Sequence, residues 1–478
     1  MKILGIHPAF LAYIHDPNIA IFENGTITYA LEEERINRFK GSQGLFPEYS
    51  LRYLLEKTRK VISDFDVIAI DGVSSVGLNE KTARYLHQMY GVNCELQAFP
   101  HYLSHAYAAH FGSGFETSLV FTFDGIGDGL STTVAIGGEK GLELIYKGKW
   151  PESLGAFYTA FTNYLGFHSA EGEYKLMGMA AYGNPKIALD KYLKLNKEKN
   201  GFEVNTSFWD SKKHTQVNEP NCNYKEIQES TGIAPVKQAD TKFTDEHFNL
   251  AASVQKQFED TYIDFIKYWQ EETGIKNIAL SGGCALNCLA NMKLVDQLPQ
   301  ETRLYIQPAA SDRGLAIGTC YQAAIANGAT IRRKRQDLYL GVEYSDKEII
   351  DTLARSGFKY SKVENAVKYA ASLLSSGEII GWFQGKSENG PRALGNRSIL
   401  ASPHIKGMKE KLNSQIKFRE KFRPFAPATI DKHAVEYNYE FVDLSSISIA
   451  TRINPGSTAA YGDAIHADGT ARLQVVKR

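Results

Sequence analysis

The chain is short of the features that mark several large protein classes. Its 478 residues hold only five cysteines, Cys94, Cys222, Cys284, Cys288 and Cys320, an odd number with no Cys-x-x-Cys pair. That argues against a disulfide framework and for thiols kept in a reducing compartment. Excess charge of either sign is also lacking, since Lys+Arg and Asp+Glu are 54 each. A neutral balance gives no broad basic surface for nucleic acid or anionic lipid. No run is long and apolar enough to span a bilayer, and residues 1–5 lack the apolar core of a signal peptide. The expectation is a cytoplasmic protein with no membrane or nucleic-acid partner. What is present is a 43% share of hydrophobic residues, enough for a sizeable core in two or more domains.

Apolar runs at residues 2–7, 18–23 and 26–31 read as strands, and Asn24-Gly25 between the last two is a strong hairpin signal. Pro47 opens an amphipathic helix with Leu51, Leu54 and Leu55 inward, and residues 67–70 form a short buried strand. The pattern recurs in kind. Strands at 119–123, 131–136 and 142–146 are separated by the glycine-rich turn 124–129 and by Gly137-Gly138. Two three-strand openings separated by helices predict two related lobes. Residues 192–240 are polar and irregular and are expected to form an insertion or loop. Thr244 or Asp245 caps a long helix with the stripe Phe248, Ala252, Gln255, Phe258, Tyr262, Phe265 and Trp269, and Gly274 stops it. Strands at 277–280 and 304–307 follow. The basic run Arg332-Arg333-Lys334-Arg335 predicts a solvated linker between a first domain, 1–335, and a second, 338–478. The second opens with helices near 346–356 and 363–375 and a strand at 379–383.

Five constellations carry chemistry. His101 and His105 stand one helical turn apart after Pro100, so both imidazoles share a face. With Asp124 and Asp312, each just past a predicted strand, they form a donor set suited to Fe, Mn or Zn. The turns 124–129, with Gly125 and Gly127, and Ser281-Gly282-Gly283 let backbone N–H groups approach phosphates, which favours nucleotide binding. His15-Asp16 pairs an imidazole with a carboxylate, as a general base needs. The mixed-charge run Glu32 to Lys40 reads first as a solvated face, with a substrate or phosphate role open. The densest cluster is the Gly- and Pro-framed cations of residues 385–398 and 417–427, including Arg392, Lys417 and Arg423. Backbones so restricted pre-organise guanidinium groups for phosphate or carboxylate.

Taken together these stretches resemble the O-carbamoyltransferases of nodulation and antibiotic tailoring. The match includes His15-Asp16, the run 32–40, His101–His105 spacing, Phe123-Asp124-Gly125, Glu171-Gly172-Glu173-Tyr174, Ser281 to Asn287, Asp312-Arg313-Gly314, the two cationic segments and His466-Ala467-Asp468-Gly469-Thr470-Ala471-Arg472. They run in family order over nearly the whole chain. The resemblance implies an α/β protein. Its N-terminal domain is expected to be a two-lobed actin/hexokinase-like (ASKHA) domain like the tRNA threonylcarbamoylation ATPase. Its C-terminal domain is expected to be a smaller α/β fold like the carbamoyl-adenylate synthase (YrdC-like).

The resemblance implies an ATP-dependent reaction. Carbamoyl phosphate and ATP give carbamoyl-adenylate, whose carbamoyl group passes to the hydroxyl of a sugar, antibiotic, toxin or glycan. On this reading His101, His105, Asp124 and Asp312 hold Fe2+ or another divalent metal, and ATP comes with Mg2+. His15 is the base, with Lys40 near it. Gly125, Gly127, Ser281, Gly282, Gly283 and Asn287 bind the nucleotide, while Arg392, Lys417, Arg423 and Arg472 bind carbamoyl phosphate. A homodimer is left open.

Pro17-Asn18 replaces the family's Ser-Ser or Ser-Ala, and the chain stops at Arg478, before the family's Asn-Thr-Ser-Phe-Asn signature. Either the chain is a truncated form, or the second domain is expected to be a C-terminally shortened variant. A metabolite kinase of the same fold would explain the glycine turns but not the histidine pair. A non-catalytic nucleotide-binding regulator is the reading from another class.

Overall fold

The computed structural model describes residues 1–10, 14–73, 77–93, 95–210, 222–236, 242–431 and 442–476. Cys94 falls outside them, and Cys284, Cys288 and Cys320 are free thiols. Among the described residues no helix is long and apolar enough to cross a membrane.

Two five-stranded sheets carry the first 326 residues, and they share one topology. In the first, β1 (Lys2–His7), β2 (Asn18–Glu23) and β3 (Thr26–Glu32) form an antiparallel meander, and β4 (Val67–Asp71) and β5 (Leu96–Phe99) add in parallel on the far side of β1. In the second, β6 (Ser118–Gly127), β7 (Leu130–Gly138) and β8 (Gly141–Lys149) form the meander. After a small hairpin of β9 (Leu193–Asn196) and β10 (Gly201–Val204), β11 (Asn277–Ser281) and β12 (Arg303–Ile306) add in parallel beyond β6. The predicted Asn24-Gly25 turn is present with both residues at positive φ, +56° and +82°. That geometry matches the twist of the flanking strands. The two related lobes expected from the strand pattern are thus present as a repeated topology.

The lobes exchange helices across their seam. The helix His101–Ser113 follows β5 of the first sheet but packs on the second, while Leu315–Ala326 follows β12 and packs on the first. They cross where Gly318 lies so close to Ser104 that a Cβ would stand 1.7 Å from its carbonyl oxygen. Ser104 Oγ also meets Thr319 Oγ1 at 3.1 Å and accepts from Gln322 at 2.7 Å. This crossing sets both helix N-termini at one end of the cleft, beside the C-terminal ends of the parallel strands. In sheets of this kind, side chains gather for chemistry at such ends.

The long helix Asp245–Thr273 is capped by Thr244 and closed by Gly274, and the predicted stripe from Ala252 to Trp269 is buried, with Tyr262 and Phe265 against Phe123 of the second sheet. Phe248, the first residue of that stripe, is only half-buried.

Three expectations are corrected by the packing. The stretch 192–240 is not simply a loop. The β9–β10 hairpin and the helix Tyr224–Thr231 seat Tyr192, Leu193, Phe202, Phe208 and Ile227 in the main core. Its larger apolar residues are sparse, but those among the described residues are buried or half-buried; residues 211–221 and 237–241 lie outside the described set. The basic run is exposed at Arg332, Lys334 and Arg335, but it is tethered and not a free linker. Arg333 donates to Gly138 O at 2.9 Å and lies over Phe111, and Arg335 pairs with Asp443 at 2.8 Å and lies over Tyr305. The mixed-charge run is a solvated face only over Arg38 to Lys40. Glu32 and Glu33 are each 1% exposed. Glu33 takes the Tyr49 and Ser50 N–H groups at the start of the helix Glu48–Thr58, and Glu32 takes the Gly390 N–H at 2.6 Å.

Beyond Leu338, the helices Asp346–Ser356 and Ala366–Ser375 and the strand Ile380–Phe383 stand close to their predicted positions, and the strand pairs with Arg397–Leu400, which the sequence reading did not mark as a strand. Neither helix has a fully buried residue. Past Val442 the chain returns to the first lobes. Ala450 N donates to Cys288 O at 3.0 Å, and Leu444, Ile449 and Leu473 join the second sheet's core.

Candidate active site

The four predicted metal ligands converge. One donor atom each from His101, His105, Asp124 and Asp312 lies within 4.8 Å of all the others. His101 and His105 come from the first two turns of the crossing helix, Asp124 from the end of the regular part of β6, and Asp312 from the turn before the second crossing helix. Asp124 Oδ2 stands 3.2 Å from His101 Nε2 and 3.6 Å from His105 Nε2, and Asp312 Oδ1 lies 3.7 and 3.5 Å from the same atoms. Burial works against charge on each group. Their mutual attraction outweighs it, so Asp124 is held well below the usual carboxylate range and His101 well above the usual imidazole value.

One atom in this cluster tests the fit of a cation. His105 Nε2 is buried and has no hydrogen-bond partner among the described residues. An orphaned polar atom of that kind costs about 1–3 kcal/mol. A divalent ion held by two imidazoles and two carboxylates would satisfy it, and that donor set suits a borderline transition metal.

Glycine keeps the cluster tight at one point. A Cβ on Gly127 would stand 2.1 Å from His101 Cδ2. Gly127 thus serves the imidazole, whereas Gly125 has open space beside it.

The second glycine turn abuts the cluster. Gly282 sits at φ +88°, where a Cβ would meet Phe123 O at 2.2 Å, and Gly283 N points at Asp124 Oδ1 at 3.4 Å. Ser281 Oγ faces His105 Nδ1 at 3.4 Å. Asn287 caps the helix Cys288–Gln297 through Ala290 N and makes a reciprocal amide pair with Gln255 at 2.9 and 3.0 Å. Both ends of its side chain are therefore committed, and it shapes the turn.

His15 lies beside the cluster, a third exposed, with Nδ1 3.1 Å from Asp16 Oδ2. Burial alone would depress its pKa. The hydrogen bond to Asp16 and the charges of Asp312, Asp16 and Asp124 raise it to about 9. Asp16 is in turn clamped by Arg313, whose Nη2 reaches Asp16 Oδ1 at 2.9 Å and Glu34 Oε2 at 3.3 Å. Lys40 is 62% exposed and pairs with Glu171 at 3.4 Å.

The cationic residues gather on the other side of the 281–287 turn. Arg392 donates to Leu286 O at 3.4 Å and lies over Tyr174, 5.0 Å from its ring centre. The Nε atoms of Arg392 and Arg472 are buried without partners among the described residues. Burial, then Arg392, Arg419 and Arg423, lower Arg472 to about 10. Burial and Arg423 lower Arg419 to about 10 as well. Lys417 is pushed down by burial, by Arg419 and Arg423, and by Lys40. Arg423 has only a loose contact with Glu420, at 3.9 Å.

The sequence reading passed over His7, Asp71, Arg313 and Arg419. His7 and Asp71 end adjacent buried strands, and that strand-end position was the one signal available for them. Arg313 stood beside a proposed ligand, and Arg419 within a segment already singled out.

The fold and the site together mark an α/β protein with a metal-type donor cluster, a glycine turn and an anion-type pocket. Residues 91–321 match the family described as carbamoyltransferase N-terminus, and residues 371–478 match carbamoyltransferase C-terminus. The nodulation protein NolNO of Sinorhizobium fredii is 33% identical over 98% of this chain and 70% of its own length. The 3'-hydroxymethylcephem-O-carbamoyltransferase of Streptomyces clavuligerus is 31% identical over 41% of this chain and 36% of its own length. Among solved structures, T. kodakarensis HypF aligns with a TM-score of 0.44 at 13% identity, covering 70% of this chain and 48% of that one. The chain belongs to the carbamoyltransferase family, and it is a transferase.

Proposed function

We propose that this chain is an ATP-dependent O-carbamoyltransferase: water releases phosphate from carbamoyl phosphate to leave carbamate, carbamate displaces pyrophosphate from ATP to give carbamoyl-adenylate, and the carbamoyl group passes to a hydroxyl of a small molecule. The observation that carries the reading is the pair of buried Nε atoms of Arg392 and Arg472, without partners among the described residues, beside the turn that also touches the His/Asp cluster. Such cations are stabilised by a bound phosphate-type anion. Residues 1–335 act as the transfer domain and 338–478 as the adenylate-forming domain, on an ASKHA-like and a YrdC-like plan respectively. Support for that division comes from the separate family matches to the two ends of the chain.

Each group then has a task. Arg392, Lys417, Arg423 and Arg472 hold carbamoyl phosphate, and Arg419 stiffens their loop through Asn413 Oδ1 at 2.7 Å. Ser281, Gly282 and Gly283, with Gly125, form the floor on which the adenylate rests, and Asn287 braces that floor. His15 accepts the proton of the attacking hydroxyl at Nε2 while Asp16 holds Nδ1. The new C–O bond forms at the carbamoyl carbon and AMP leaves. Lys40 is free to swing toward the leaving phosphate from its exposed position.

His101, His105, Asp124 and Asp312 would hold Fe2+ or another divalent ion, which supplies Lewis-acid stabilisation of phosphate charge when bound. Mg2+ would accompany ATP.

The test needs no acceptor. Purified chain is given ATP and carbamoyl phosphate, pyrophosphate is followed, and carbamoyl-adenylate is sought by mass spectrometry. Pyrophosphate release that requires carbamoyl phosphate supports the reading. Phosphate transfer from ATP to a metabolite, with no pyrophosphate, would replace it with a kinase.

A further inference from the structure

The ligand cluster explains where His101 Nε2 points but not what stands behind its ring. His7 and Asp71 end the neighbouring parallel strands β1 and β4, and their side chains are 2% and 3% exposed. Asp71 Oδ1 lies 2.7 Å from His7 Nδ1, and its other oxygen lies 3.3 Å from His101 Nδ1. His7 Nε2 lies 3.0 Å from the backbone carbonyl of His15.

Donor bookkeeping determines the protons in this chain of contacts. A carboxylate and a carbonyl can only accept, so His7 donates through both nitrogens and carries a positive charge. His101 Nδ1 also faces a carboxylate, so its proton stays there, and the proton that a bound ion would displace is the one on Nε2, which faces Asp124 Oδ2 at 3.2 Å. A buried carboxylate without a counter-charge would be strongly unfavourable. His7 supplies that counter-charge, so Asp71 can orient His101 without placing an uncompensated negative charge behind the site.

We propose that Asp71 and His7 are a positioning pair for the divalent-ion site. Asp71 holds His101 in the tautomer that aims Nε2 at the ion, and His7 holds Asp71 while tying the backbone of His15 to the same frame. The pair thereby registers the acceptor-side base against the ion. This rests on reading His101, His105, Asp124 and Asp312 as the ligands. Outer carboxylates of this kind typically change metal affinity 10–100-fold when removed.

The experiment is a titration of chelator-stripped chain with Co2+, read by calorimetry and by the visible absorption of the bound ion. Circular dichroism and the metal-free thermal midpoint are measured alongside. Asp71→Asn is expected to weaken Co2+ binding by about 10–100-fold and to shift the absorption bands. Asp71→Glu is expected to recover part of the affinity. His7→Gln, which leaves the Asp71–His101 contact in place, is expected to weaken binding by a smaller factor. A folded Asp71→Asn chain with wild-type affinity and spectrum overturns the proposal. Should that variant fail to fold, an unchanged affinity and spectrum in His7→Gln overturns it instead. Wild-type chain that takes up no Co2+, Mn2+ or Fe2+ overturns the ligand assignment, and the positioning pair falls with it.

Discussion

Two clusters of charge lie on either side of the 281–287 turn and balance themselves in opposite ways. In the His101/His105/Asp124/Asp312 cluster every carboxylate faces an imidazole within 3.7 Å, so the charges are compensated within the protein. In the Arg392/Lys417/Arg419/Arg423/Arg472 cluster like charges face one another, and Arg419 and Arg472 are pushed down to about 10. The first arrangement is a closed set whose one unsatisfied atom, His105 Nε2, points inward. The second is stable only to the extent that an anion completes it. An ion-binding site can therefore be built with little strain, whereas a phosphate site must store repulsion until its ligand arrives.

The largest effect expected from breaking this contrast is at the compensated cluster. Asp312→Ala or His101→Ala removes a ligand and should strip the bound metal. Elemental analysis of the purified protein reads this directly, and metal content equal to wild type would show that the cluster is not the site. Turnover should fall with it by at least about 100-fold, the range for loss of a key charge-stabilising group.

The cationic cluster should respond with a split sign. Arg472→Met relieves repulsion, so the anion-free chain should gain a thermal midpoint of about 1–3 °C, because removing a poorly paired charge is stabilising. The same change should abolish the further rise that inorganic phosphate or pyrophosphate gives wild type. A variant that loses midpoint without anion would show that Arg472 is paired by groups not identified here.

His15 is tied to the first cluster through pH. Its folded value of about 9 stands above the ordinary 6.5. Its protonated ring thus stabilises the fold fully below pH about 6.5, and that contribution is lost as pH rises through about 9. His15→Asn should flatten this part of the stability curve. As a base His15 must first lose its proton, so turnover should climb toward pH 9. A divalent ion beside Asp312 and Asp124 offsets the field that raises His15 and should move the midpoint down. Profiles recorded at two ion concentrations that coincide would sever His15 from the cluster.

The smallest effect belongs to the exposed pair Lys40–Glu171. Glu171→Gln should change unfolding free energy by no more than about 0.5 kcal/mol, since both partners are solvated and screened. Any effect of Lys40→Ala on turnover, measured beside an unchanged midpoint, then reports chemistry and not folding.

Much of the fold was legible because its signals are local. Alternation and Asn24-Gly25 gave the first meander, and Thr244, Gly274 and the stripe between them gave the long helix almost to the residue. The His101–His105 spacing worked for the same reason, since a helix converts sequence separation into a shared face. The polar stretch 192–240 misled because its few apolar residues are spaced irregularly, and only packing shows that Phe202 and Phe208 point into the core. Arg333 and Arg335 misled because a guanidinium can lie on an aromatic ring as readily as in water. The YrdC-like expectation for the later segment stays a proposal, for its strands form only two-stranded ladders among the described residues.

The sequence by itself determined which side chains could do chemistry here: the two imidazoles one turn apart, the carboxylates at strand ends, the glycine turns and the rigid arginines. Only the tertiary structure decided how they are grouped. The repeated sheet topology and the crossed helices bring Asp124 and Asp312, 188 positions apart in the chain numbering, onto one pair of histidines. The same crossing places His7 and Asp71 behind His101, and turns the 281–287 segment toward Arg392. The physical reason is that a hydrophobic pattern specifies which face of an element is buried but not which element it meets, and it is the meeting of elements that sets charges within a few ångströms of one another.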